Sequence, residues 1–214
     1  MTSRALRIGI DARELLGRPT GVGRYLSELL ARWTRDPALA AHRLVLYAPE
    51  PLALGWIGAE GATVEPRVLP GGSGTRWEQL TLARAAADDD LTVYFAPAYQ
   101  APLRLRVPLV LSMHDVSFAA RPQWFGWREG LRRRWLATWS ARRAAAVLPL
   151  TAWSREEIVE HLGTPASRIH VVPPAVDTHP ALARPAGGAA AASPEAGGPL
   201  VLYVGSIFNR RHVP

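Results

Sequence analysis

Leu6-Arg7-Ile8-Gly9-Ile10 is an apolar run of strand length, Val22 to Trp33 repeats its apolar residues at helical spacing, and Arg43 to Ala48 is apolar and strand-like again. Strand, helix and strand in that order are the opening of a parallel sheet with helices on its faces. The alternation continues along the chain. Val64 to Leu69, Leu91 to Phe95, Leu109 to Met113, Ala146 to Leu150 and Ile169 to Val172 read as further strands, with helices expected over Arg76 to Ala87, Phe125 to Ala145 and Ser154 to Leu162. The fold class is therefore α/β, a doubly wound, mostly parallel sheet. Ser154 reads as the N-cap of the last helix, with Glu156 and Glu157 in its first turn, where the helix dipole favours anions. Gly163 reads as its stop.

Composition changes after this alternation. Residues 1–178 are expected to form one domain, and 179–199, rich in Ala, Gly and Pro, a linker that cannot bury a core. Leu200 to Val204 is a fresh apolar strand, so residues 200–214 read as the opening strand and loop of a second domain, truncated at Pro214. The N-terminal residues lack the pattern of a signal peptide. The longest apolar stretches are of strand length, well below the roughly 20 residues that cross a bilayer. Cytoplasmic residence, with peripheral contact at the inner face of the membrane, is the expectation.

All 25 basic side chains are arginine, and against 18 acidic ones they give a net charge of +7, which favours an anionic partner. A lysine-free chain has no Walker A lysine for phosphates and no Schiff-base nucleophile. With no cysteine there is no disulfide framework, thiolate nucleophile or zinc ribbon.

Several short motifs carry chemistry. Thr20-Gly21-Val22-Gly23-Arg24-Tyr25 opens the first long helix, where backbone N–H groups can receive an anion. It is no dinucleotide fingerprint, because Leu26 occupies the third glycine position and a long loop separates Ile10 from Gly21. An ordinary glycine-bearing loop is the alternative. His114-Asp115 ends a strand, where ligands gather in open α/β sheets; Asp115 could orient the imidazole, and His114 could donate a hydrogen bond or move a proton. No spacing suggests a third triad member or a metal cluster. Asp88-Asp89-Asp90 reads as a polar turn before a strand. Arg128, Arg132, Arg133, Arg134, Arg142 and Arg143 share a helix with Trp127, Trp135 and Trp139. This pattern suits a membrane surface. The reading favoured here is a core-facing stripe of Trp127, Leu131, Trp135 and Trp139, with the arginines solvated. Arg210-Arg211, just past a strand, suits a diphosphate through bidentate hydrogen bonds, or else is a surface turn.

Taken in order, these pieces resemble the retaining GT-B glycosyltransferases of glycosyltransferase family 4, the mannosyltransferase-like group. The resemblance covers nearly the whole chain. It rests on Ile8-Gly9-Ile10-Asp11-Ala12-Arg13 with the glycine motif above, on Phe95-Ala96-Pro97-Ala98-Tyr99, and on His114-Asp115-Val116-Ser117-Phe118. Ala141-Arg142-Arg143-Ala144, Thr151-Ala152-Trp153-Ser154-Arg155, Val171-Val172-Pro173 and Leu202-Tyr203-Val204-Gly205 before Arg210-Arg211 complete it.

The resemblance implies a Rossmann-like, acceptor-side domain facing a nucleotide-sugar-binding domain across a cleft. It implies His114 as the catalytic residue contacting the transferred sugar, and substrate or phosphate contacts from Gly21, Val22, Gly23, Tyr99, Thr151, Ser154, Arg210 and Arg211. The donor is then a nucleotide-diphosphate sugar and the acceptor a glycan or lipid-linked glycan, with no cofactor, no obligatory metal and no protein nucleophile. A mannose-like hexose and a role in cell-surface polysaccharide synthesis follow from the same likeness, and the chain alone is expected to be inactive. Arg211 replaces the family's usual lysine, Pro174-Ala175 its Asn-Gly, and Ala152 its glutamate. Two other classes share features with the chain. One is a basic module binding membrane or nucleic acid, the latter disfavoured because no helix-turn-helix or RNP pattern is present. The other is a GT-B sugar-nucleotide epimerase.

Overall fold

The computed structural model describes residues 4–17 and 21–174. The expected linker, the strand from Leu200 and the Arg210-Arg211 pair lie outside the described residues. Six strands form one sheet: β1 (Arg7–Asp11), β2 (Arg43–Ala48), β3 (Thr63–Val68), β4 (Val93–Ala96), β5 (Leu109–Ser112) and β6 (Ala146–Leu148). Their order is β3-β2-β1-β4-β5-β6, and every pairing is parallel. This is the doubly wound, Rossmann-like arrangement, with its reversal of strand order between β1 and β4.

Alternation along the strands explains why helices cover both faces. Leu44 and Leu46 of β2 and Phe95 of β4 pack with Leu26 and Leu30 of α1 (Gly21–Trp33) in one core. Val45, Tyr47 and Tyr94 point the other way, into a second core. That core is closed by α2 (Ala83–Asp88), α4 (Trp127–Arg143) and α5 (Ala152–Leu162). A strand buried on both faces reads as a continuous apolar run, which is why β2 is legible. Gly9 lets the layers close: a Cβ there would collide with the Leu91 side chain and crowd Tyr94 and Tyr47.

Local departures from the sequence reading have physical causes. The helix expected from Arg76 begins as a π-helical segment, Trp77–Leu82, before α2. Trp77, Glu78 and Leu82 are buried, and the wider π turn brings residues five apart onto one face. The N-cap of α5 is Thr151, whose Oγ1 accepts the Ser154 N–H at 3.1 Å, so Ser154 lies inside the helix and Glu156 and Glu157 beyond its first turn. Gly163 ends α5 in the left-handed conformation, φ 64°, as its position suggested. Of Asp88-Asp89-Asp90, expected as a turn, Asp88 closes α2 and Asp89-Asp90 form the turn, the Asp89 carboxylate accepting the Tyr47 hydroxyl at 2.7 Å and pairing with Arg67 at 3.0 Å.

The expected seventh strand is reduced to a single bridge between Ile169 and Val147. His170 and Val172 donate to the carbonyls of Val147 and Pro149, each at 2.9 Å, but Pro149 has no N–H to return a bond, and Pro173 and Pro174 follow. At the other edge, β3 carries Pro66.

The expected core stripe of α4 is overturned. Trp127, Leu131 and Trp135 are 73, 64 and 55% exposed. The buried face is Gly130, Leu136, Ala137, Ser140 and Ala141, a mostly small-residue surface that lets the helix lie close, with Ser140 Oγ accepting the Ala101 N–H at 3.1 Å.

Arg13, just past β1, ties the sheet to its surroundings. Its Nη2 lies 2.6 Å from both Asp11 Oδ2 and Glu78 Oε2, and its Nη1 donates to the Ser73 carbonyl at 2.6 Å. Gln79 and Gln100 donate to the two oxygens of the fully buried Glu78. Burial raises the Glu78 carboxyl above the ordinary range and Asp11 adds to this, against the pull of Arg13. Burial opposes the charge on Arg13, but Asp11 and Glu78 more than offset it and hold the guanidinium protonated. Arg13→Ala strands two neighbouring carboxylates and should cost about 3–5 kcal/mol. Glu78→Gln turns one of two accepting oxygens into a donor that faces donors, Gln79 on one side or Arg13 and Gln100 on the other, and should cost about 1–3 kcal/mol; urea denaturation midpoints of the two variants compare them directly.

Candidate functional site

In open parallel sheets the crevice lies beyond the carboxyl ends of the strands, where strand order reverses. Here that edge receives the first turns of α1, the segment after β5 and the start of α5. The first turn of α1 holds no acidic side chain, and nothing lies within 4 Å of where a Cβ on Gly21 would sit. Its N-terminal N–H groups are the kind that receive an anion. Val22 is half-buried, and Gly23 is buried on the side of the helix that meets the sheet.

Tyr25, one turn on, meets His114 edge to face, ring centroids 4.9 Å apart. From the other side the Ser154 hydroxyl donates to the His114 carbonyl at 3.4 Å, and the Thr151 hydroxyl donates to Ser154 Oγ at 3.0 Å. Thr151 thus caps α5 and orients the serine that touches the histidine backbone. The sequence-expected residues at the openings of α1 and α5 and at the end of β5 are brought to one edge.

His114 Nε2 is buried with no hydrogen-bond partner. Burial lowers the imidazole pKa below its ordinary value, with Asp115 opposing. Asp115 does not orient the ring as its adjacency suggested. Its Oδ1 accepts the N–H and the hydroxyl of Ser117, at 3.0 and 2.7 Å, and so starts α3 (Ser117–Ala120). A side chain two residues from a helix start satisfies the free N–H groups there, and that local demand prevails.

Tyr99 belongs to a neighbouring cluster. Its ring packs on Phe118 at 5.4 Å, and the Arg133 guanidinium lies over it at 5.5 Å. Arg210 and Arg211 lie outside the described residues. Two groups escaped the sequence reading. Tyr25 was legible only as the end of a glycine motif, and Trp153, 70% exposed beside Ser154, only as part of a family block. Among the described residues, Glu157, Glu160 and His161 bring ligand atoms within 4.8 Å of one another. They stand on later turns of α5, and His161 pairs with Glu157 at 3.7 Å.

The Glycosyltransferase Family 4 domain matches residues 19–180, and the chain belongs to that family. Its fold is similar to that of Alr3699/HepE from Anabaena. The crystal structure of that protein in complex with UDP and glucose matches with a TM-score of 0.52 and 19% identity over 83% of this chain and 48% of that one. The complex with UDP-glucose matches with a TM-score of 0.54 and 17% identity, over 82% and 47%. The chain therefore spans about half the length of these solved structures. No curated protein sequence matches it. No helix among the described residues is long and apolar enough to cross a membrane.

The lowered pKa keeps His114 neutral at pH 7 and couples it to stability. The unfolded chain takes up this proton first, below about pH 6.5. The contribution of His114 is therefore whole above that value and is lost as pH falls through the folded pKa. An NMR titration of the imidazole should give a midpoint below 6.5, and His114→Gln should lessen the acid-induced fall in Tm.

Proposed function

We propose that this chain is the acceptor-side domain of a retaining glycosyltransferase that moves a hexose from a nucleotide-diphosphate sugar to a glycan or lipid-linked acceptor. The observation that carries the reading is the convergence on His114 of the first turns of α1 and the cap of α5. Family membership supplies the reaction class. The UDP and UDP-glucose held by the similar HepE structures suggest the donor class.

The chemistry follows from what the residues can do. A neutral imidazole with an unengaged Nε2 can form one directed hydrogen bond to a sugar hydroxyl. The edge of Tyr25 and the bond to Ser154 fix its position, so that little reorganisation is needed when charge develops on the sugar. As the glycosidic bond breaks, electrons flow to the diphosphate. N–H groups at the start of α1, together with Arg210 and Arg211, are suited to stabilise that charge. The acceptor hydroxyl adds to the anomeric carbon on the face the diphosphate leaves, and its proton passes to the departing phosphate oxygen. Trp153 offers an indole face to an acceptor sugar at the rim.

A transfer assay with labelled UDP- and GDP-hexoses and glycolipid acceptors tests the reading. His114→Ala should lower kcat on the order of a hundredfold, the scale for losing one preorganised hydrogen-bonding group, with little change in donor KM. Arg211→Ala should act similarly, because its interaction strengthens as charge builds on the leaving group. Unchanged kcat in both variants, in a protein that transfers sugar, would refute these assignments.

A further inference from the structure

We infer that the outer face of α4 is a docking surface for an anionic lipid bilayer. Trp127, Leu131 and Trp135 recur every fourth residue and form one exposed stripe, while the helix buries its small-residue face against the sheet. At 3.6 residues per turn, Arg134 flanks that stripe on one side and Arg128 and Arg132 on the other. All three arginines are exposed. The one acidic residue of the helix, Glu129, lies away from the stripe and is paired with Arg133 at 2.5 Å. A band of indole and leucine between rows of guanidinium groups is the chemistry of an interfacial helix: apolar groups enter the acyl boundary and cations meet phosphates.

Further contacts support lipid as the occupant. The Arg128 guanidinium sits over the Trp127 ring at 5.0 Å and that of Arg143 over Trp139 at 4.8 Å, pairing cation and ring where headgroup and acyl chain meet. Trp135, Thr138, Trp139, Arg142 and Arg143 line a shallow, mostly apolar groove of about 370 Å³ along the same helix, its two guanidinium groups held by the carbonyls of Leu162, Leu103 and Leu105. The face also adjoins the crevice. Arg132 bonds the Thr75 hydroxyl, and Ser73 of the same loop holds Arg13 at the end of β1. A bilayer on α4 would therefore present a lipid-linked acceptor at the rim of the candidate site. The docking rests on surface chemistry and is read by vesicle binding, independently of sugar transfer.

The 214-residue chain should co-sediment with phosphatidylcholine vesicles carrying about one-third phosphatidylglycerol, and at least about tenfold more weakly with pure phosphatidylcholine. Binding should fall as salt rises from about 0.1 M to about 0.5 M, because exposed charges are screened. Arg128→Gln with Arg134→Gln should weaken binding about twenty-five-fold, at roughly fivefold per surface arginine. A Trp127→Ser, Leu131→Ser and Trp135→Ser triple variant should lose binding while keeping its thermal melt, since all three side chains are exposed. Equal binding to neutral vesicles, no binding to either, or an unchanged triple variant overturns the proposal. So does a concentration-dependent dimer, seen in sedimentation velocity and abolished by the same triple change, which would assign the face to a second copy.

Discussion

The arrangement of the crevice depends on one guanidinium. Arg13 stands just beyond β1, at the reversal of strand order, and joins a carboxylate of its own strand to one in the π-helical segment and to a carbonyl of the loop after β3. Three separate stretches of chain therefore meet at one planar group. Its geometry is a fork that an ammonium could not imitate. Glu78, fully buried, is tolerable only because Arg13, Gln79 and Gln100 supply it with donors. The ion network thereby pins the carboxyl end of β1 to the π-helical segment and to the loop after β3, at the edge where the strand order reverses.

Much of this was legible because the sheet is buried on both faces. Central strands between helices read as apolar runs, whereas β3, an edge strand mostly exposed, carries Glu65, Pro66 and Arg67; all six strands lie within two residues of their expected bounds, and α1 follows from Leu26 and Leu30 at helical spacing. The gathering of Gly21, His114, Thr151 and Ser154 at one edge followed from their places at strand ends and helix starts. What was not legible depends on competition between partners that spacing does not reveal. Asp115 adjoins His114, yet an N–H group at the start of α3 claims its carboxylate. Thr151 and Ser154 both suit a cap, and only the backbone shows that threonine takes it. The π segment reflects Trp77 and Glu78 both seeking burial, with Trp77 Nε1 donating to the Leu69 carbonyl at 2.6 Å.

The α4 helix shows how periodicity alone misleads. A stripe of tryptophan and leucine at every fourth residue has the same spacing whether it faces a core or a solvent boundary. The discriminating feature is the opposite face. Gly130, Ala137, Ser140 and Ala141 are small, and small residues let a helix approach a sheet closely with ordinary packing. Large side chains then have no room inward and must point out. The unpaired abundance of arginine over acid along the outer face, visible in the sequence, was the remaining signal.

Both borders of the sheet are sealed by imino acids. At one border β3 carries Pro66, and at the other Pro149 withholds the N–H that a following strand would need. On the β3 side an incoming extended peptide therefore finds an interrupted ladder, and on the β6 side the chain's own His170 and Val172 already take the outward carbonyls, devices by which natural β proteins resist edge-to-edge aggregation.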